Sequence, residues 1–405
     1  MSSARITDTN ATHRSDNSQN FQKAIIIYKA DSYLGYCQIL YEYFSNKKIP
    51  VQLIEIKLDH GPNVLTTSKR LQWGITFPQN LISSLKWSDV VTFLEGNDAD
   101  FVFLGLPGVD VFKLCNQLHY NASYGKRVTL VTGFPGLQFR QIGSGLISRS
   151  YVDKLLFIDP TFHKYASKLF RILPLVRADC ILLGSPRLRS MPDRCTSIEN
   201  GRVIFFEQNV VPLRLAERKE LARELAKIAA ALPTRKILII SRNRASESSN
   251  HASVHNLTLE YLLRNFDSPN IEMFHGNWTQ IAHEVEAALS VSSTALLEAS
   301  LLKIPSFSIR LSRDTDSAFG AERFFRRLGF ERDSDQIIDY IINRRATATV
   351  SAASKHLCLF NDKSLSEVFC VPTQKPTSGK FFLLICRQVQ FFLARAFDRV
   401  MLHFR

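Results

Sequence analysis

Short apolar segments alternate with helical patterns along this 405-residue chain, and this alternation restricts the fold more than any other feature. The segments are continuously apolar, which is typical of strands that are buried on both faces. Helices between such strands indicate a parallel sheet that is covered on both sides. The sequence therefore predicts an α/β fold.

The alternation occurs twice. In the first half, strands are predicted at 23–29, 51–57, 101–106, 127–132, 155–158 and 180–183. Loose sequence from Gly184 to Gly201, rich in Pro and Arg, then predicts a domain boundary. In the second half, strands are predicted at 203–206, 236–241, 271–274 and 306–309, and helices at 214–232, 257–265 and 279–288. We expect two tandem, doubly wound, Rossmann-like domains, at 21–190 and 200–365.

Composition restricts the class of partner and the compartment. Lys and Arg outnumber Asp and Glu by 51 to 37, and a net charge of +14 favours anionic partners. The seven Cys form no C-x-x-C pair, which argues against a disulfide framework or a zinc site and for a reducing compartment. Residues 1–20 are polar, lack the apolar core of a signal peptide and are predicted to be disordered. A cytoplasmic location is expected.

The C-terminal segment, residues 376–405, is predicted to form a basic amphipathic helix. On a helical wheel, most basic residues of 380–405 fall on one arc and most large apolar residues opposite. Such a helix can dock on the anionic inner face of a membrane, which would make the protein peripheral there. It can equally pack on the protein's own domains, and the pattern leaves both interpretations open.

A hydroxyl-rich turn lies inside the run from Leu289 to Pro305. Ser292, Ser293 and Thr294 stand at the predicted start of a helix, where free N–H groups and the helix dipole suit a phosphate. Glu298 follows about one turn later, from where its carboxylate would reach a ribose hydroxyl. The simpler interpretation is a helix cap that binds nothing.

Other polar residues also follow predicted strands, at the edge where parallel sheets bind their ligands. Asp31 follows the first strand and is the candidate general base, although a helix N-cap is an equally good interpretation. Asp153 and Glu207 are further carboxylates. Gly133, Pro135 and Gly136 form a turn that permits close approach to a substrate.

A basic loop follows the strand at 236–241. Arg242 and Arg244 would donate charge-assisted hydrogen bonds to a phosphate, and His251 would protonate the leaving phosphate. A solvated loop is the alternative for the two Arg. Three D-x-D triplets, at 98–100, 314–316 and 333–335, precede a strand or lie in polar stretches. No metal and no cofactor are therefore predicted.

The serine-rich run resembles the serine motif of bacterial GT-B glycosyltransferases that use CMP-sugars, such as sialyl- and polysialyltransferases. Lys303 departs from the pattern, since many GT-B sequences carry Gly there. The chain as a whole resembles a bacterial family described as glycosyltransferase-like. That likeness rests on motifs at 31–34, 132–136, 149–153, 208–218 and 242–251.

The resemblance implies a function that the residues alone do not establish. The second domain would hold a nucleotide sugar, with Gln208 in the substrate site, and the first would hold a glycan or glycolipid acceptor. The expected activity is an inverting, metal-independent sugar transfer that builds a surface polysaccharide, with a CMP-linked acidic sugar as donor. The alternatives are a sugar-nucleotide epimerase of the same fold and a non-catalytic protein that binds a glycan or a membrane. Nucleic acid is not expected as a partner.

Overall fold

The computed structural model describes most of the chain. The described residues are 21–57, 65–120, 128–138, 142–172, 178–189, 191, 201–208, 211–241, 258–312, 321–343 and 352–370. They form two parallel sheets, of seven and six strands. The predicted segments at 1–20 and 376–405 lie outside these residues.

The first domain is built on the seven-stranded sheet, whose order is β3-β2-β1-β4-β5-β6-β7. Its strands are β1 Ala24–Tyr28, β2 Val51–Lys57, β3 Ile82–Lys86, β4 Phe101–Gly105, β5 Thr129–Gly133, β6 Lys154–Phe157 and β7 Asp179–Leu182. Its α-helices are α1 Leu34–Asn46, α2 Thr67–Trp73, α3 Val90–Glu95, α4 Gly108–Tyr120, α5 Ile142–Arg149 and α6 Pro160–Ile172. The sequence did not predict β3, because this edge strand is partly exposed and lacks a continuous apolar run.

The second domain is built on the six-stranded sheet, whose order is β10-β9-β8-β11-β12-β13. Its strands are β8 Arg202–Phe206, β9 Ile237–Ile240, β10 Ile271–Phe274, β11 Val285–Ser290, β12 Ser306–Ile309 and β13 Glu331–Arg332. Its α-helices are α7 Leu215–Ala231, α8 Leu259–Leu263, α9 Ala295–Leu301, α10 Glu322–Arg327 and α11 Ser334–Asn343. The predicted pair of doubly wound α/β domains is confirmed.

Successive residues of a central strand point to opposite faces of the sheet and therefore lie in different apolar cores. Ile26 of β1 lies in a buried cluster that also contains Ile204 of β8 and Ala288 of β11. Its neighbours Ile25 and Ile27 lie in the core on the opposite face of the first sheet. One apolar core is therefore shared by the two domains.

The helix predicted at 279–288 is wrong. A 3-10 helix, Trp278–Glu284, ends there, and the central strand β11 begins at Val285. All of β11 is buried, between β8 and β12. Its Ala residues favour a helix locally, but pairing on both sides and burial determine the strand.

The chain returns to the first domain through residues 352–370, here called the return segment, which contains helix α12 Asp362–Val368. The Cys358 amide donates to the Ile158 carbonyl oxygen at 3.2 Å, and the Asn361 amide to that of Leu183 at 2.9 Å. Phe369 stacks on Tyr43 of α1, with the ring centres 3.6 Å apart. The segment packs on the first domain, although residues up to 365 were predicted to belong to the second.

Among the described helices, none has both the length and the apolar character needed to span a membrane.

Candidate functional site

A turn from each domain meets where the carboxyl edges of the two sheets approach each other, a place here called the cleft. Gly136 lies in the turn after β5, and Thr294 lies in the hydroxyl turn after β11. A methyl group placed on Gly136 would lie 3.9 Å from Thr294 Oγ1. Both turns follow the carboxyl ends of parallel strands, where open α/β sheets bind ligands. The structure therefore brings together two of the turns that the sequence singled out.

The hydroxyl turn starts helix α9, as predicted. Thr294 is the N-cap residue and makes no side-chain capping bond, whereas Ser293 Oγ, one position earlier, accepts a hydrogen bond from the Ala295 amide at 3.2 Å. Ser292 and Ser293 are only 2% and 8% exposed, whereas Thr294 is half-buried and faces Gly136. Thr294 is therefore the hydroxyl most open to the cleft.

Gln208 holds the hydroxyl turn from the neighbouring strand. It follows β8, which pairs directly with β11. Its Oε1 accepts from the Ser292 amide at 3.0 Å and from Ser292 Oγ at 3.4 Å. Gln208 thus orients Ser292, a contact that the sequence did not predict.

Glu298 points from α9 toward residues that precede the second domain. Ser185 Oγ donates to Glu298 Oε1 at 2.7 Å, and Arg187 Nη1 lies 3.6 Å from Glu298 Oε2. The Arg187 guanidinium also lies 4.0 Å from the centre of the Trp73 ring. Sequence reasoning missed Ser185 and Arg187 because they lie in the loose stretch that marked the domain boundary.

Glu207 lies directly after β8, beside Gln208. Burial raises the pKa of the Glu207 carboxyl, while a hydrogen bond with Ser241 and the charge of Arg218 oppose the increase. The Leu259 amide donates to Glu207 Oε1 at 3.4 Å. The Glu207 carboxylate thus lies inside the second domain, where Ser241 and the Leu259 amide already contact it.

Asp31 lies in a 3-10 turn after β1, in the first domain. Its carboxylate lies 3.6 Å from the Lys69 ammonium, with the two side chains 17% and 3% exposed. The role of Asp31 as a base stays a prediction. Gly133, in contrast, is enclosed: a methyl group there would lie 3.1 Å from Leu156 Cβ and 3.2 Å from Tyr36 Cε2.

Three residues that were predicted to contact the phosphate, Arg242, Arg244 and His251, lie outside the described residues. In the triplet at 98–100, Asp100 Oδ2 accepts from the amides of Gln22 and Lys23, at 2.7 and 3.3 Å. Across the described ranges, no three His, Cys, Asp or Glu side chains cluster as metal ligands would.

The departure at Lys303 coincides with an unusual backbone conformation. Lys303 has a φ of 61°, in the left-handed region that favours Gly, and its side chain is exposed. A Lys303→Gly variant is expected to raise the free energy of unfolding by about 1 kcal/mol, because it relieves this strain. Chemical denaturation tests this, with Lys48→Gly (φ 57°) as a second positive case and Lys47→Gly (φ −89°) as a control expected to lose stability.

Solved structures with the same architecture include enzymes that handle nucleotide sugars. S. aureus MnaA, in a UDP co-structure, matches with a TM-score of 0.56 at 11% identity, over 88% of this chain and 100% of that one. The UDP-GlcNAc 2-epimerase of Methanocaldococcus jannaschii matches with a TM-score of 0.50 at 10% identity, over 85% and 98%. Arabidopsis thaliana UGT89C1, complexed with UDP-L-rhamnose, matches with a TM-score of 0.50 at 11% identity, over 83% and 93%. At these identities the likeness shows the fold alone, which is GT-B-like.

A search among curated proteins finds no match. A family model does match, over residues 24–310, which include the first β-strand, both turns of the cleft and α9. The chain therefore belongs to the family described as "Putative glycosyltransferase (DUF6716)".

Proposed function

We propose that this protein transfers a sugar from a nucleotide donor, held by the second domain, to an acceptor held by the first. The observation that carries the proposal is the approach of the Gly136 turn to Thr294 across the cleft. A donor phosphate beside Thr294 would place the transferred sugar toward the Gly136 turn. Membership of the family and the GT-B-like fold support the same assignment.

The donor would be held by the hydroxyl turn. Ser292, Ser293 and Thr294 would donate hydrogen bonds to the phosphate, whose negative charge grows as the sugar leaves. Gln208 Oε1 accepts from the Ser292 amide at 3.0 Å and from Ser292 Oγ at 3.4 Å, so the Ser292 hydroxyl would turn from Gln208 to the phosphate when the donor binds. Glu298 would accept from a ribose hydroxyl, with Ser185 fixing its carboxylate.

The acceptor hydroxyl needs a base. Asp31, at the carboxyl edge of the first sheet, is the proposed base for an inverting transfer, and no metal is assigned to the reaction. The proposed donor is a CMP-linked acidic sugar and the proposed acceptor is a glycan or glycolipid of a surface polysaccharide. Both rest on the likeness of the serine motif, and the proposed place of action is the inner membrane face.

Thermal unfolding in the presence of CMP, CDP, UDP, GDP and ADP tests the proposal. A nucleotide that binds only the folded protein raises the unfolding midpoint. We expect CMP to raise it and the Ser292→Ala/Ser293→Ala variant to lose the effect while keeping its ligand-free midpoint within a few degrees. No shift with any nucleotide would contradict the proposal. A UDP shift, together with conversion of a UDP-sugar in the absence of any acceptor, would instead identify an epimerase.

A further inference from the structure

Among the described residues of the first domain, one buried cation has no carboxylate partner. Arg149, the last residue of α5, is 7% exposed. Its Nη1 donates to the Gly145 carbonyl oxygen and its Nη2 to the Tyr33 hydroxyl, both at 3.2 Å. Within the described residues Nε has no hydrogen-bond partner, and no ion pair involves this side chain. Arg is seldom buried without an anion, because its charge must be compensated.

Arg149 lies against the N-terminus of a second helix. A methyl group placed on Gly108, the first residue of α4, would lie 2.6 Å from Arg149 Nη1. In the described part of the chain, the amides of Gly108 and Val109 donate to no other group, and Val109 is 61% exposed. The positive end of the helix dipole and the guanidinium thus face each other, which is unfavourable unless an anion lies between them.

The nearby groups do not supply that anion. Asp110, the acidic residue in the first turn of α4, pairs with Lys29 at 2.9 Å. The Phe134 ring lies 4.6 Å from the Arg149 guanidinium and offers only its π face. Phe134 directly follows β5, so the cationic group lies in the first domain, at the carboxyl edge of its sheet.

We propose that Arg149 and the first amides of α4 bind an oxyanion, a carboxylate or phosphate carried by the acceptor. The Tyr33 hydroxyl positions Arg149: it accepts from Nη2 at 3.2 Å and donates its own hydrogen to the Leu106 carbonyl oxygen at 2.7 Å. Tyr33 belongs to the same 3-10 turn as Asp31, the proposed base. An acidic acceptor held here would bring its neutral hydroxyl toward that turn. The assignment of the oxyanion to an acceptor rests on the proposed function, whereas the oxyanion site itself does not.

Three sugars that share one ring test the site: glucose, glucuronate and glucose 6-phosphate, at constant ionic strength set with NaCl. We expect glucuronate or glucose 6-phosphate to raise the unfolding midpoint by about 2 °C or more at saturation, and glucose to have no effect. The anion that acts identifies the source as a carboxylate or a phosphate. Anionic sugars that act no more strongly than glucose would overturn the proposal.

Substitutions at Arg149 and Val109 test whether the anionic sugar raises the unfolding midpoint by binding at this site. Arg149→Gln is expected to raise the half-saturating concentration about tenfold or more, because a charge-assisted contact is lost, and Arg149→Lys less. Should Arg149→Gln fail to fold, Val109→Glu provides the same test at an exposed position. Its carboxylate should occupy the helix N-terminus and abolish the response, while Val109→Gln keeps it. A wild-type response in Arg149→Gln or in Val109→Glu would overturn the proposal.

The Ser292→Ala/Ser293→Ala variant separates this site from the donor site. It should keep the response to the anionic sugar and lose the response to CMP. A variant that instead loses the sugar response would place the anion at the hydroxyl turn and overturn the inference. If no nucleotide shifts the wild-type midpoint while the anionic sugar still does, the proposed function fails and the oxyanion site stands.

Discussion

Gly184→Ala is expected to lower the free energy of unfolding by about 2–4 kcal/mol, through backbone strain and a clash. Gly184 has a φ of +82°, and a methyl group there would overlap the Leu359 carbonyl oxygen and lie 2.7 Å from its carbon. These atoms belong to the return segment, whose Cys358 carbonyl oxygen accepts from the Ser185 amide at 3.0 Å. The segment must move away from β7 to admit the methyl group.

Gly329→Ala is the matched control. Gly329 has a φ of +77°, but a methyl group there would meet no atom within 4 Å. It should lose only the backbone term, about 1 kcal/mol. Chemical denaturation gives both values, and hydrogen exchange should show faster exchange at the Cys358 and Asn361 amides in Gly184→Ala alone. Equal losses of stability in the two variants would refute the described packing of the return segment.

Asp31→Asn is expected to lower the rate of sugar transfer by about 10²- to 10⁴-fold, because a general base is lost. The midpoint shift with CMP should persist, since the proposed donor site lies in the other domain. The assay is release of CMP from a CMP-sugar in the presence of acceptor. Loss of stability is a separate expectation, because Lys69 would remain buried without its 3.6 Å partner.

Asp179→Asn controls for that loss of stability. Asp179 pairs with Lys154 at 3.2 Å, and the side chains are 22% and 5% exposed, close to the values for Asp31 and Lys69. Asp179 begins β7, at the amino edge of the sheet and away from the cleft. Both variants should be destabilised to a similar extent, but only Asp31→Asn should lose transfer. Equal transfer rates in the two variants would show that Asp31 is a structural ion-pair residue and not the base.

Local sequence predicted most of the fold because the central strands are continuously apolar and buried on both faces. β2 has the predicted bounds Val51–Lys57, and β10 the predicted bounds Ile271–Phe274. The exceptions depend on tertiary contacts. Most of β11 was predicted as helix because β8, its partner on one side, lies far earlier in the sequence. The return segment donates to the carbonyl oxygens of Ile158 and Leu183, which precede it by more than a hundred residues along the chain.

The candidate site also combines residues that a local pattern predicts with residues that only tertiary contacts bring together. The hydroxyl turn could be predicted because a run of Ser and Thr before an apolar helix is a local pattern. The contacts of Ser185 with Glu298 and of Arg149 with Tyr33 join residues 113 and 116 positions apart. No local pattern marks Ser185, which lies in an irregular stretch. Arg149 and Tyr33 belong to two of the motifs that carry the family resemblance, but no local pattern predicts that they contact each other. Only the folded structure identifies these contacts, because it shows Ser185 buried beside the Glu298 carboxylate and the Arg149 guanidinium buried beside Tyr33.

A crystal structure of the protein with CMP bound is the most direct test of the proposed donor site. We expect a phosphate oxygen within about 2.7–3.2 Å of a hydroxyl of Ser292, Ser293 or Thr294, and a ribose hydroxyl within hydrogen-bond distance of Glu298. CMP bound away from the hydroxyl turn, or an empty turn at a CMP concentration that saturates the thermal shift, would contradict it.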